Sequence, residues 1–322
     1  MPTLQDDYNA FTAAAAFADV GTRTQIEIAG DDRAKFLHNY CTADIESLQP
    51  NTGTEAFITS VKGKTLGHVY VYCGDDSLVI ETVPGQVETL LPHLERYTLA
   101  SDVQIHNVTE GWSFLHVGGP EAAVKLNAAA ELELPDAYLA FTTGAIGDVE
   151  FAIGRGSAVS PEGLTICCRS DDLTSLRGAL TGAGLQSCGS DVLEVLRIEA
   201  GTPVFGRDIT DDNLPQEVNR DARALNLTKG CYLGQETVAR LDALGHVNKL
   251  LVGVNFDGET VPADGTDLLA GGKVVGKVTS AVFSLGLGAP LALAYVRTGH
   301  CEVGSQLDWA EGNAEVVQLP VK

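Results

Sequence analysis

The chain is short of positive charge. Its 322 residues carry 21 lysines and arginines against 43 aspartates and glutamates, a net charge of −22. A surface this acidic repels phosphate backbones and anionic lipid, which excludes general nucleic-acid binding and docking on an anionic membrane. Long apolar runs are missing as well. The Ala13-Ala14-Ala15-Ala16 run is far below the roughly 20 residues a spanning helix needs, and it follows Asp6 and Asp7. Neither a basic secretory leader nor an arginine-rich, acid-poor transit peptide is present, so the cytoplasm is the expected compartment. The cysteines, at 41, 73, 167, 168, 188, 231 and 301, form no Cys-x-x-Cys pair. An odd, scattered set gives no disulfide framework, no zinc ribbon and no thioredoxin-type site, and no metal site is expected. Gly118-Gly119-Pro120 lacks the spacing of a P-loop or dinucleotide fingerprint and reads as a strand-to-helix turn. There is no internal repeat and no long linker.

What is present is an ordinary globular composition, 44% hydrophobic and 20% charged. The length suits two or three domains. Strands and helices intermix through the first 245 residues. Ile26 and Ile28 mark a strand face, and Asp31 caps a helix carrying Phe36, Leu37 and Tyr40. Phe11, Ala14 and Phe17 share one side of an expected first helix. Cys167 and Cys168 fall in a strand and should point to opposite faces. A helix runs from Ser190 or Asp191 to about Glu199, which places a carboxylate where the macrodipole disfavours it. An acid there needs a partner or a function. After Gly245 short strands follow one another between Gly, Pro and Asp, as in a small β-barrel over 246–322. Gly271-Gly272 is a hairpin turn there.

The densest chemistry lies in Lys229-Gly230-Cys231-Tyr232-Leu233-Gly234-Gln235-Glu236. One thiol, two glycines, a cation, an amide and a carboxylate share eight residues. A thiol reacts as the thiolate, which nearby positive charge or a helix N-terminus favours. Gln235 to Leu241 reads as a helix, so Cys231 sits on the loop leading into it, with Lys229 before it and Arg240 beyond. The plainer reading, a small buried hydrophobe, stays open on spacing alone.

Lys-Gly-Cys-Tyr-x-Gly-Gln-Glu resembles the signature of the YgfZ family, relatives of the glycine-cleavage T-protein (aminomethyltransferase). The likeness extends through Ile198-Glu199-Ala200-Gly201-Thr202-Pro203, Leu214-Pro215-Gln216-Glu217 and Gly276-Lys277-Val278-Thr279-Ser280. It implies an α+β, T-protein-like (GcvT-like) fold. Two interleaved α+β subdomains over 1–245 would form a multidomain ring with the C-terminal β-barrel, around a central folate pocket. It implies tetrahydrofolate, or a one-carbon derivative, as cofactor, and iron–sulfur proteins or their assembly factors as partners. Cys231 would act with Lys229, Gln235 and Glu236. Glu199 would hydrogen-bond the pterin through its carboxylate. Tyr232 would join it, and Arg220, Arg223 and Arg240 are the cations available for the glutamate tail. The T-protein reaction uses an aspartate after a strand-turn-strand. In Lys62-Gly63-Lys64-Thr65-Leu66-Gly67-His68-Val69-Tyr70 that place falls to Gly67 or His68. Whether the chain is an enzyme is therefore open. Three functions remain: a folate protein supporting iron–sulfur enzymes through Cys231, a folate-dependent aminomethyltransferase or demethylase, and a non-catalytic folate-binding scaffold.

Overall fold

The structure, a computed structural model, describes residues 2–245 and 247–321, so His246, at the start of the expected barrel domain, lies outside the described residues. Helix α1 (Leu4–Ala13) begins at a capping box, in which the Thr3 hydroxyl accepts the Asp6 N–H and Asp6 accepts the Thr3 N–H. It ends at Ala13, because Ala14 leaves the helical region at φ −137° and ψ −123°. Phe17 therefore does not extend the helix face as expected; it lies in strand β1 (Ala16–Gly21).

The chain continues through β2 (Thr24–Ala29), α2 (Arg33–Tyr40), β3 (Thr52–Thr59), β4 (Thr65–Cys73), β5 (Ser77–Thr82) and α3 (Val87–Glu95). Next come β6 (Gln104–Asn107), β7 (Trp112–Gly118), α4 (Ala122–Ala130), β8 (Phe141–Ile146), β9 (Val149–Arg155) and β10 (Leu164–Arg169). Then follow α5 (Leu173–Gly182), β11 (Gln186–Cys188), α6 (Asp191–Glu199), α7 (Asp221–Ala224) and α8 (Gln235–Leu244). The last strands are β12 (Lys249–Phe256), β13 (Asp267–Ala270), β14 (Lys273–Ser284), β15 (Ala289–Arg297), β16 (Gln306–Trp309) and β17 (Gly312–Val317).

Two compact units alternate along the chain. The first comprises Met1–Phe36, Ile45–Thr54 and Tyr70–Glu194. The second comprises Leu37–Asp44, Glu55–Val69 and Val195–Lys322, so it holds the barrel strands together with the segment that carries Cys231.

In the first unit a six-stranded sheet runs β11-β1-β7-β10-β9-β8. Its core packs Phe17, Leu115, Val117 and Ile166 against Leu126, Leu176 and Leu180 of the helices. The strand period of two separates the adjacent thiols: Cys168 enters this core, while Cys167 lines a cavity on the other face. A five-stranded sheet runs β3-β4-β5-β2-β6. On β2 the alternation buries Ile26 and Ile28 completely and turns Gln25 and Glu27 toward the same cavity.

In the second unit six strands close into a barrel, β12-β15-β14-β13-β16-β17. Closure removes the unpaired edges an open sheet would expose. The barrel core is Val254, Phe256, Leu268, Val278, Ala292 and Val316, with Trp309 edge-on to Phe256. The Gly271-Gly272 turn has φ +57° and +77°, joining Ala270 to its partner Lys273. A two-residue hairpin loop with both φ positive suits glycine at each position.

Candidate functional site

The Cys231 segment is pinned by backbone chemistry on three sides. Lys229 sends its ammonium to the carbonyls of His38, Cys41 (2.9 Å) and Ala43 (2.6 Å), at and just past the end of α2. An ammonium has three N–H donors. The His38 carbonyl is one that the last turn of α2 leaves without an intrahelical partner, the Cys41 and Ala43 carbonyls belong to the segment just beyond, and the cation suits the negative end of the helix dipole. The same Nζ lies 4.9 Å from the centroid of the Tyr232 ring. Lys229, expected from the sequence to stabilise a thiolate, is thus placed as a loop clamp. Asn226 accepts the Thr228 and Lys229 N–H groups at 3.0 and 2.9 Å and shapes the approach.

The second anchor is Leu233. Its N–H donates to the Asn39 carbonyl at 2.9 Å, and its carbonyl accepts the Thr59 hydroxyl at 2.6 Å. The third is a glycine pair. Gly234 has φ +85°, and a Cβ there would lie 2.5 Å from the Ser60 carbonyl oxygen and 2.9 Å from Gly63 Cα. Gly63, at φ +74° in the β3–β4 turn, would bring a Cβ within 2.7 Å of Thr237. Two glycines allow two backbones to touch where any side chain would part them.

This scaffold leaves Cys231 exposed, the one exposed thiol among the described residues. Burial pushes the other six thiols up, Cys41 to about 11 and Cys188 to about 12. Tyr232 is buried, and burial followed by the neighbouring Cys41 pushes its phenol up to about 12. Gln235 opens α8 half-buried, and its N–H bonds the Tyr232 carbonyl at 3.1 Å. Glu236 and Arg240 are exposed on the same helix at i,i+4.

A second cluster surrounds His68, one of the two residues expected from the sequence at the place of the family's aspartate. His68 is 4% exposed on β4, and its Nε2 lies 2.6 Å from Glu55 Oε1. Glu55, on β3, is fully buried. Arg220 grips it with a fork: Nε to Oε1, and Nη2 to Oε2 at 2.7 Å. Burial alone would raise the Glu55 carboxyl, but the Arg220 guanidinium and then His68 outweigh it and hold the acid well below the usual carboxylate range. Glu55 is therefore an acceptor, and the His68 nitrogen that faces it is the N–H. Glu55 was not among the expected residues. The readable signal was a carboxylate inside the apolar end of a strand, Ala56-Phe57-Ile58.

Glu199 lies at the end of α6, 7% exposed. Its Oε1 accepts the Ser284 hydroxyl at 2.6 Å and the Gly286 N–H at 3.1 Å. The partner that an acid in this position requires is thus supplied, for that oxygen, by the turn between β14 and β15. Arg220 and Arg223 meet in a cleft of about 530 Å³ with Gly201, Asn219, Leu251 and Leu319. Glu199, Cys231, Tyr232 and Arg240 are not in its lining. In the first unit a cavity of about 540 Å³ is lined by Tyr72, Trp112, Phe114 and Phe141, with Glu27 and Glu81 on its walls. Arg169 stacks on Trp112 at 4.1 Å, and Arg23 pairs with Glu81 at 3.1 Å. Sequence reasoning missed this cavity, although Gln25, Glu27 and Glu81 show the polar half of a strand alternation. Among the described residues no group of three or more His, Cys, Asp or Glu could hold a metal ion, and no helix is long and apolar enough to cross a membrane.

Strand order, closed barrel and the two interleaved units define an α+β protein with a terminal β-barrel. The profile described as the GCVT N-terminal domain matches residues 1–225, and that of the glycine cleavage T-protein C-terminal barrel domain matches residues 249–321. The chain belongs to the glycine-cleavage T-protein (GCVT) family. The aminomethyltransferase of Streptomyces coelicolor is 26% identical over 329 residues, covering 98% of this chain and 88% of that protein. The Bacillus subtilis aminomethyltransferase is also 26% identical, over 95% of this chain and 86% of its own. The crystal structure of the glycine cleavage system aminomethyltransferase T from Bartonella henselae superposes with a TM-score of 0.87 at 19% identity, over 98% of this chain and 89% of that one. The fold is therefore GcvT-like.

Proposed function

We propose that the protein binds tetrahydrofolate, or a one-carbon derivative of it, and supports the assembly or repair of iron–sulfur enzymes through Cys231. The observation that carries this reading is the Arg220–Glu55–His68 cluster. In aminomethyl transfer a carboxylate must stand at the folate and handle a proton. Here the imidazole at that place is tied to Glu55, and Glu55 is tied to Arg220. Glu55, the carboxylate that His68 bonds, is thus committed to a buried ion pair. Meanwhile the only exposed thiol stands on a clamped loop. Chemistry moves from the folate-side acid to the thiol, which would act as nucleophile or as one ligand of a cluster shared with a partner, since such clusters usually take four thiolates.

Folate binding is supported by the aminomethyltransferase relatives. Glu199 offers a carboxylate for the aminopyrimidine edge. Lys229 acts by holding the loop, and Gln235 and Glu236, in the first turn of α8, are assigned to act with the thiol. Arg223 and Arg240 are assigned to the glutamate tail together with Arg220, which also holds Glu55. The expected domains are a folate-binding region over 1–245 and a barrel over 246–322.

Anaerobic calorimetry with tetrahydrofolate should show binding by the wild type and by Cys231→Ala, and weaker binding by Glu199→Gln. In a deletion strain, iron–sulfur enzyme activity should return with the wild type and not with Cys231→Ala. Full rescue by Cys231→Ala would remove the role given to the thiol. A second reading, a folate-dependent aminomethyltransferase, is favoured by the relatives' names. It requires turnover of a carrier-bound aminomethyl donor, and no turnover would leave the first reading standing.

A further inference from the structure

Cations are scarce in this chain, yet four of them meet on one side of the barrel. Lys249 of β12 stands directly opposite Arg297 of β15 in an antiparallel pair. Like charges placed opposite each other on a sheet repel. Two residues back along β15, on the same face, Tyr295 is paired with Lys277 of β14. Arg207, from the loop after α6, completes the wall. The four line a groove of about 640 Å³, and Asp264 is the one carboxylate in its lining.

The cations are held in place differently. Asp264 takes Arg207 in a two-point contact, Nε at 3.1 Å and Nη2 at 3.3 Å. Lys277 is braced by Asp267 at 2.9 Å and by the Gly265 carbonyl at 3.2 Å. Lys249 lies 4.5 Å from the Tyr295 ring centroid and 3.9 Å from Glu217. The exposed Arg297 guanidinium makes no hydrogen bond or ion pair among the described residues. Asp264, Asp267 and Glu217 each stand beside one of the other three cations, so Arg297 is the positive charge in excess at this groove, on a chain with net charge −22. Guanidinium forks and ammonium groups converging on one space match oxyanions.

We propose that this groove binds a small polyanion with two or more phosphate or carboxylate groups, one of which bridges Lys249 and Arg297 and relieves their repulsion. The site does not depend on the folate reading, which uses none of these four residues. Phosphate and carboxylate chains present the same charge spacing to it, so the probes must separate them.

The test is calorimetric titration of the full chain with tripolyphosphate and, separately, with tri-γ-glutamate, at low and at physiological salt. The wild type should bind at least one probe saturably, and more weakly as salt rises. Arg297→Gln, and more so Lys249→Gln with Arg297→Gln, should weaken that binding at least about tenfold, as loss of a charge-assisted contact implies. Lys35→Gln with Arg96→Gln removes two exposed cations elsewhere and should leave it unchanged. Preference for tripolyphosphate assigns the groove to phosphate esters, and preference for tri-γ-glutamate to polycarboxylates. Saturable binding of neither probe overturns the proposal. So does an equal loss in the Lys35 and Arg96 control. Arg297 is exposed, so the single variant keeps the test valid if the double variant folds poorly.

Discussion

Replacing Arg220 by methionine should damage the fold far more than removing a surface charge. Arg220 is 8% exposed and Glu55 0%, so solvent screens their interaction little. Unit charges about 4 Å apart attract by about 4 kcal/mol at an effective dielectric of about 20. The desolvation of Glu55 remains when the guanidinium goes, and breaking one side of a buried pair typically costs about 3–5 kcal/mol. The pH dependence gives the argument its sign. In the wild type the Glu55 carboxyl is held below its unfolded value. Its contribution is complete above that unfolded value, about 4.3, and is lost as pH falls through the folded one. Without Arg220, burial dominates and raises the same carboxyl. The variant is then relatively best when Glu55 is protonated and deteriorates as pH rises. The gap between the two proteins should therefore be widest near neutrality and narrow toward about pH 4, as the variant recovers while the wild type still keeps most of its contribution. Urea unfolding followed by tryptophan fluorescence at both pH values measures it. Adding Glu55→Gln to Arg220→Met should recover part of the loss, because no buried charge is then left alone. A neutral-pH loss below about 1 kcal/mol, the range of exposed pairs, would refute the reasoning, as would a gap that does not narrow in acid.

Gly234→Ala should destabilise by about 1–3 kcal/mol, since it forces a side chain into positive φ at 2.5 Å from the Ser60 carbonyl; thermal melts check it, and an unchanged midpoint would mean the two backbones can part freely. Lys229→Met should release the loop from α2 and make Cys231 alkylation kinetics heterogeneous, whereas a single unchanged rate would deny the clamp. In native protein at mildly alkaline pH a water-soluble thiol reagent should modify Cys231 first, with Cys41 and Cys168 reacting only on unfolding; mass mapping of the first adduct decides.

The barrel and most elements could be read from local pattern. The helix from Asp191 to Glu199 and the Gly271-Gly272 hairpin stand where caps and turn chemistry placed them. The opposed faces of Cys167 and Cys168 followed from the strand period alone. What could not be read was long range. Phe17 has the spacing of a helix face, but Ala14 ends α1 and hands Phe17 to a sheet core whose partners lie about a hundred residues on, at Leu115 and Val117. Lys229 beside Cys231 suggests a charge near a thiol, yet its bonds go to carbonyls almost two hundred residues earlier. Glu55 and Arg220 are 165 positions apart, and neither motif nor period connects them. Sequence proximity identified the loop; only the fold tells which of its side chains face inward.

That division of labour explains the composition of the motif. Its lysine, its leucine and its second glycine bind the loop to α2, β3 and the β3–β4 turn through backbone atoms. Tyr232 is buried beneath the lysine cation. Each of these residues is engaged in holding position, and two are of the type that task demands: a three-donor cation and a residue tolerant of positive φ. Of the remainder, Gly230, Cys231 and Glu236 are exposed and Gln235 is half-buried. Rigid presentation matters for a thiol, because fixing a nucleophile in an attack geometry removes entropy from the barrier before a substrate arrives. The six other thiols are shifted by burial away from reactivity. A chain that buries or half-buries six cysteines and displays the seventh on a clamped loop has the arrangement selective thiol chemistry requires. If Lys229→Met abolishes function while Cys231 remains reactive to small reagents, rigidity is the property the motif supplies; if function survives with the loop released, the thiol needs only exposure.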